Sequence, residues 1–171
     1  FELHGDPGLV QLDPRWQQAA WRFVQAGVMH ILEGSDHLLF LACLVIPLRR
    51  LRALVLLATA FTLAHSLTLL ATAFGLGPQG LWFPPFVEML IAASIVWMAL
   101  ANILGGSLHR RWIAAFAFGL VHGFGFAFAL RESLQFAGSH VLGALLAFNL
   151  GVEIGQLLAL AALLAAAALL L

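Results

Sequence analysis

Four histidines and three carboxylates lie inside long apolar stretches of this 171-residue chain. Lipid makes such ionisable groups costly, by about 3 kcal/mol or more each when they are unpaired, so they need one another or an ion. Imidazole and carboxylate together are a typical ligand set for nickel, cobalt, zinc, copper or iron, whereas magnesium prefers carboxylates. The pattern therefore predicts an intramembrane site for a divalent transition metal. Its predicted ligands are His30, Asp36, His37, His65, Glu88, His122 and Glu153.

The segment from His30 to His37 sets a geometric condition on this site. Seven residues are nearly two helical turns, so both histidines share one helix face, but about 10 Å then separates them along the axis. One ion cannot bind both imidazoles at that distance unless the helix bends at Gly34-Ser35. We therefore expect either a distorted helix or two separate sites, and Asp36 points elsewhere if the helix is regular.

Other polar groups in the apolar stretches would support the site. Asn149, Glu153 and Gln156 recur at i, i+4 and i+7, which predicts one polar stripe on an apolar helix, facing the interior of a bundle. Ser66 directly follows His65. A single histidine or asparagine in a membrane helix is as often an interhelical hydrogen-bond partner as a ligand, but the combined set is too costly for packing alone.

The composition indicates the architecture that must position these groups. With 63% hydrophobic and 9% charged residues and a mean hydropathy of +1.00, the chain cannot be a water-soluble domain with a polar exterior. Runs of about 20 apolar residues predict membrane-crossing helices, and we expect an all-α polytopic bundle of about five to six membrane helices. The predicted crossings are roughly 22–47, 52–74, 84–104, 112–131 and 140–171.

The N-terminal residues predict a different environment. Asp13-Pro14 is typical of an N-cap followed by proline at the first helical position. The next turns mix Trp16 and Trp21 with polar residues, which predicts an interfacial N-terminal helix at the membrane surface. We expect residues 1–13 to be a loop or the remnant of an upstream extracytoplasmic domain, and residues 14–171 to form the transmembrane helical domain.

Arginine predicts the orientation, because the chain contains no lysine. Arg49, Arg50 and Arg52 lie between the first two predicted crossings, and Arg110 and Arg111 lie between the third and fourth. Five sequential crossings place both loops on one side, and the positive-inside rule makes that side cytoplasmic. The N-terminus is then outside, and the polar groups lie in the outer half or near the midplane.

Several motifs resemble those of the HupE/UreJ membrane protein family, and the resemblance covers roughly residues 27–157. It implies an accessory protein of a hydrogenase or urease system, proposed to be a nickel or cobalt permease, in the bacterial cytoplasmic membrane. It also suggests the branch in which an extracytoplasmic domain precedes the membrane part. The motifs are His30 through Phe40, Phe61 through Thr68, Val87-Glu88, Phe118 through Ala127, and Phe148 through Glu153.

Two functions therefore compete. The first is a permease for nickel, cobalt or zinc. The second is an intramembrane zinc hydrolase or transferase acting on a lipid or lipid-linked substrate, with Glu88 or Glu153 as the base and Ser66 orienting the substrate. A third interpretation is a metal-sensing or assembly partner. The expected partners are membrane lipid, a metal ion and an upstream domain of the same protein, with no nucleic acid.

Overall fold

The chain folds into helices joined by short turns. A computed structural model describes residues 15–48, 50–78, 80–105, 107–134, 137 and 139–170, with side chains described outside 127–134 and 170. No strand occurs among the described residues, so the predicted all-α class is confirmed. The helices are α1 (Trp16–Glu33), α2 (Ser35–Val45), α3 (Leu51–Ala73), α4 (Phe83–Leu104), α5 (Leu108–Leu134) and α6 (Val141–Leu170).

Helices α1 and α6 pack closely because glycines replace side chains along their contact. A Cβ built on Gly27 would collide with the carbonyl oxygen of Phe148, and one built on Gly151 would collide with that of Val24. A Cβ on Gly155 would lie 3.1 Å from the Val28 carbonyl oxygen. Val24 thus lies against Gly151 and Val28 lies against Gly155, so the contacts follow the same order along both helices. The two helices therefore run parallel.

Helices α3 and α5 form a second close pair of the same kind. A Cβ on Gly119 would collide with the carbonyl oxygen of Phe61, and one on Gly123 would collide with that of His65. The contacting residue numbers again increase in the same direction along both helices, so this pair is also parallel. Small residues let the two backbones approach, which is how membrane helices gain packing contacts in lipid.

Helix α4 runs antiparallel to α5. The Phe83 ring lies 5.5 Å from that of Phe124, and the Trp97 ring lies 5.5 Å from that of Phe118, so the matches run in opposite order. Proline at the start of α4 is tolerated because the first helical N–H groups have no intrahelical partner. Helix α4 ends at Gly105, whose φ of +75° favours glycine.

Polar contacts join the ends of α2 and α4 to the start of α5. The Asn102 side-chain amide donates to the Cys43 carbonyl oxygen at 2.7 Å. Arg111, which is 4% exposed, donates to the Asn102 side-chain oxygen. Helix α3 begins just after Arg50. We call this end of the bundle the arginine end, and the opposite end, where α1 begins at Trp16, the tryptophan end.

Most of the predicted crossings correspond to helices. By length and apolarity α3, α4 and α6 can each cross a membrane, and α1 with α2, bent by 67°, can form a fourth crossing. These match the predicted runs 52–74, 84–104, 140–171 and 22–47. The run 112–131 lies within α5, and its crossing stays a prediction.

The predicted interfacial helix is continuous with the first crossing. Helix α1 runs from Trp16 to Glu33 without a break. The backbone N–H of Arg15 donates to the Gln18 side-chain oxygen at 3.3 Å, which caps its first turn. The predicted cap at Asp13-Pro14 lies outside the described residues. The membrane-surface position of these first turns stays a prediction.

Candidate metal centre

A break at Gly34 brings the first two predicted ligands together. Gly34 has φ −75° and ψ 99°, an extended conformation that ends α1 and starts α2 in a new direction. As a result, the Nε2 atoms of His30 and His37 lie 2.9 Å apart. Of the two expectations from their spacing, the distorted helix is therefore the one observed.

A third histidine completes a compact group. This histidine is His65 on α3. One ring nitrogen from each of His30, His37 and His65 can be chosen so that all three nitrogens lie within 4.8 Å of one another. In a tetrahedral site with metal–nitrogen bonds of about 2.0 Å, ligand nitrogens are about 3.3 Å apart. The observed separations bracket that value, so small side-chain shifts would let one ion bind all three.

His122 on α5 stands beside this group as a fourth histidine. Its ring lies 5.3 Å from that of His37. Its Nδ1 lies 2.8 Å from the Phe118 carbonyl oxygen, which can only accept, so Nδ1 carries the proton. Nε2 therefore keeps its lone pair. A backbone carbonyl that fixes the tautomer in this way is typical of metal-binding histidines.

Several nitrogens of this histidine cluster (His30, His37, His65 and His122) are buried without a hydrogen-bond partner among the described residues. They are Nδ1 of His37, both ring nitrogens of His65 and Nε2 of His122. His65 is 0% exposed. A buried polar atom left unpaired costs about 1–3 kcal/mol. A metal ion bound by their lone pairs would offset part of that cost, so the donor set fits such an ion.

Two layers of phenylalanine rings enclose the cluster along the bundle axis. On the side of the arginine end, the ring centroid of Phe61 lies 5.0 Å from that of His122 and 5.0 Å from that of Phe40. The Phe40 ring also contacts the Phe118 ring. On the side of the tryptophan end, the rings of Phe126 and Phe148 stack with their centroids 4.9 Å apart, and the Phe126 centroid lies 3.9 Å from that of His30. The cluster thus has apolar rings on both sides along the bundle axis.

The predicted carboxylate ligands do not belong to the candidate ligand group formed by His30, His37 and His65. Glu88 is exposed on α4. Asp36 is exposed and accepts from Ser35 at 3.4 Å, although it is near enough to His122 to interact electrostatically. Glu153 is half-buried and accepts from the Thr59 hydroxyl at 2.7 Å.

The predicted supporting residues are engaged with the helices around them. Gln156 is 2% exposed and accepts from the Thr62 hydroxyl at 2.8 Å. Ser66 donates to the Thr62 carbonyl oxygen at 2.6 Å, and Asn149 donates to that of Leu145 at 3.0 Å. The side-chain oxygen of Asn149 is buried without a partner among the described residues.

The phenylalanine layers were not predicted from the sequence, although the sequence contains a signal for them. Phe61 and Phe118 each precede a cluster histidine by four residues, and Phe126 follows His122 by four. A spacing of four places both rings on one helix face. This repeated spacing predicts phenylalanine rings stacked above and below the histidines.

Comparison with known proteins identifies a family. A family model described as HupE / UreJ protein matches residues 8–171, which is nearly the whole chain. No curated protein and no solved structure matches the chain.

Proposed function

The chain belongs to the HupE/UreJ family, and on that premise we propose that it is a permease that carries a divalent transition metal, nickel or cobalt, across the bacterial cytoplasmic membrane. The family and the apolar helices support a membrane protein with a metal-related function. The observation that carries the proposal is the histidine cluster, in which α1, α2 and α3 and the break at Gly34 bring ring nitrogens of His30, His37 and His65 within 4.8 Å of one another.

The ligand chemistry favours a borderline metal. Neutral imidazoles bind nickel, cobalt and zinc well, while calcium and magnesium require oxygen ligands. Cys43, the single cysteine, is half-buried on α2 and belongs to no metal-ligand group among the described residues. The ion is the cargo in this proposal, and the histidines are its temporary ligands.

The phenylalanine rings on both sides of the cluster support transport in steps rather than through an open pore. An ion at the cluster would have apolar rings on both sides, so entry requires separation of Phe126 from Phe148. Release requires displacement of Phe40 from Phe61 and Phe118. Membrane transporters commonly expose a central site to each side in turn by such movements. We propose entry from the tryptophan end, which the arginine distribution predicts to be extracytoplasmic.

The hydrolase alternative requires a base and a polar group beside the metal. Glu88 is exposed on another helix, Glu153 is bonded to Thr59, and the Ser66 hydroxyl donates to a backbone carbonyl. Neither carboxylate belongs to the candidate metal-ligand group found among the described residues. The geometry of the described residues therefore favours transport over hydrolysis.

The test combines metal analysis with flux. Purified protein is loaded with Ni²⁺, its metal content is measured, and uptake of Ni²⁺ is followed in sealed vesicles containing the protein. We expect stoichiometric metal and uptake in the wild type, and loss of both in His65→Ala. The control is His109→Ala, because His109 is exposed on the first turn of α5.

The possible outcomes separate the hypotheses. Tightly bound metal without any uptake would contradict transport and would favour the hydrolase. Absence of bound metal under all loading conditions would contradict the metal site itself and would leave the histidines as packing groups.

A further inference from the structure

A second set of polar groups connects α3 to α6 outside the histidine cluster. The Thr59 hydroxyl donates to Glu153 Oε1 at 2.7 Å, and the Thr62 hydroxyl donates to Gln156 Oε1 at 2.8 Å. Thr59 and Glu153 are half-buried, while Thr62 and Gln156 are buried. We call these four residues the α3–α6 seam. Each of its pairs joins residues 94 apart in sequence.

The seam lies between the histidine cluster and the arginine end. Helix α3 begins at the arginine end, and Thr59 and Thr62 precede His65 by six and three residues. These spacings correspond to about 9 Å and about 4.5 Å along the helix axis. Thr59 and Thr62 flank Phe61 along α3, so an ion leaving the cluster toward the arginine end would pass the seam at the level of the Phe61 ring.

The seam offers only oxygen ligands. A carboxylate, two hydroxyls and a carboxamide oxygen can all coordinate a divalent cation, but they bind nickel or cobalt more weakly than imidazoles do. Glu153 Oε1 is occupied by Thr59, and Oε2 has no hydrogen bond among the described residues. An ionisable side chain inside a membrane helix is costly and commonly marks an ion pathway.

We propose that Glu153, with Thr59 and Gln156, forms a second and weaker binding station for the transported cation, separate from the histidine cluster. This inference rests on the proposed function. An ion held by several imidazoles is released slowly unless a neighbouring site accepts it, and conduction depends on sites weak enough to release their ion. Oxygen ligands one to two turns away provide such a site.

The first test is a titration with Co²⁺ of the purified full chain, followed by Co²⁺ uptake in sealed vesicles. We expect two cobalt ions per wild-type chain, the second bound at least tenfold more weakly than the first. In Glu153→Gln, which keeps the side-chain size and an acceptor for Thr59, the tight ion should remain within threefold of its wild-type affinity. The weak ion should be lost, and uptake should fall at least tenfold.

A matched pair of variants at Thr59 separates the station from simple helix packing. Thr59→Val removes the hydroxyl while keeping the shape, and Thr59→Ser keeps the hydroxyl while removing a methyl group. The proposal requires loss of the weak ion in Thr59→Val and its retention in Thr59→Ser. Equal weak binding in both variants would overturn it.

The remaining outcomes are also decisive. A wild type that binds one cobalt tightly and transports it, with no weaker ion, overturns the station alone. Loss of the tight ion in Glu153→Gln also overturns it, because Glu153 would then belong to the cluster site. A wild type that binds no cobalt overturns the proposed function, and the station with it.

Discussion

The histidine cluster and the α3–α6 seam are both polar, both contain residues of α3, and differ in how their polar atoms are paired. His65 is fully buried with neither ring nitrogen bonded to a described residue, whereas the hydroxyls of Thr59 and Thr62 each donate to a side chain of α6. Pairing makes the seam stable without a ligand. The missing partners make the cluster costly unless a ligand binds there.

This difference indicates that the cluster needs a bound ion to pair its buried nitrogens, whereas the seam is already paired and can bind an ion only weakly. Groups selected only for stability would be paired, because an unpaired buried group costs more than a hydrogen bond gains. The cluster departs from that rule on several helices at once. Such departures are expected where a protein keeps a binding site at the expense of stability.

The largest effect should come from removing a cluster histidine. In His65→Leu, we expect the affinity for Ni²⁺ to fall by at least about 100-fold. Mutation of a residue that only hydrogen-bonds to a metal ligand already lowers metal affinity by about 10–100-fold, and loss of a ligand should lower it further. Isothermal titration of the detergent-purified protein measures this change. Unchanged affinity would remove the distinction between the cluster and the seam, and His109→Leu is the matched control.

The next effect concerns the backbone that holds His65 in place. Gly123→Ala adds a Cβ that would collide with the His65 carbonyl oxygen and the Thr68 hydroxyl, so we expect destabilisation by about 1–3 kcal/mol. Thermal unfolding in detergent measures it. The control is Gly143→Ala on α6, where a Cβ would have no neighbour within 4 Å. Similar losses in both variants would contradict the close α3–α5 packing.

The unpaired nitrogens of His65 predict that removing this buried side chain does not lower the stability of the metal-free protein. Without metal, His65→Leu should be as stable as the wild type or more stable by about 1 kcal/mol, because it removes two buried unpaired atoms. Thr62→Val in the seam should instead lose about 0.6 kcal/mol, a typical value for an interhelical hydrogen bond in a membrane. Unfolding of metal-free samples compares the two. A large loss in His65→Leu would contradict the claim that the His65 ring nitrogens are unpaired.

The smallest effect is expected at Glu88. Its side chain is exposed on α4, away from the group of ring nitrogens, so Glu88→Gln should change the Ni²⁺ affinity by less than about twofold. The same titration measures it. A loss as large as that of His65→Leu would bring Glu88 back among the ligands.

The helical class followed from the sequence, whereas the geometry of the candidate site did not. Apolar run lengths identified α3, α4 and α6, because the thickness of a bilayer fixes the length of a crossing helix. Spacing alone could not choose between two sites and a bent helix at Gly34, since a glycine permits a break without requiring one. Only the tertiary arrangement shows that His30 and His37 meet.

The carboxylates show the other limit of sequence reasoning. Glu88 and Glu153 occupy similar apolar surroundings in the sequence, but one is exposed on α4 and the other accepts a hydrogen bond from Thr59. Which way a helix face turns depends on its neighbours, and that information is distributed over the whole chain. The glycines on α1, α5 and α6 set these neighbours by permitting close contact.

The central claim is that imidazoles from α1, α2 and α3 bind one cation together. X-ray absorption spectroscopy of the Ni²⁺-loaded protein tests it most directly, because the fine structure reports the number and type of ligand atoms. We expect one ion per chain at high affinity, with three or four imidazole nitrogens at about 2.0–2.1 Å. A spectrum with oxygen ligands alone, or one unchanged in His37→Ala and His65→Ala, would contradict the account.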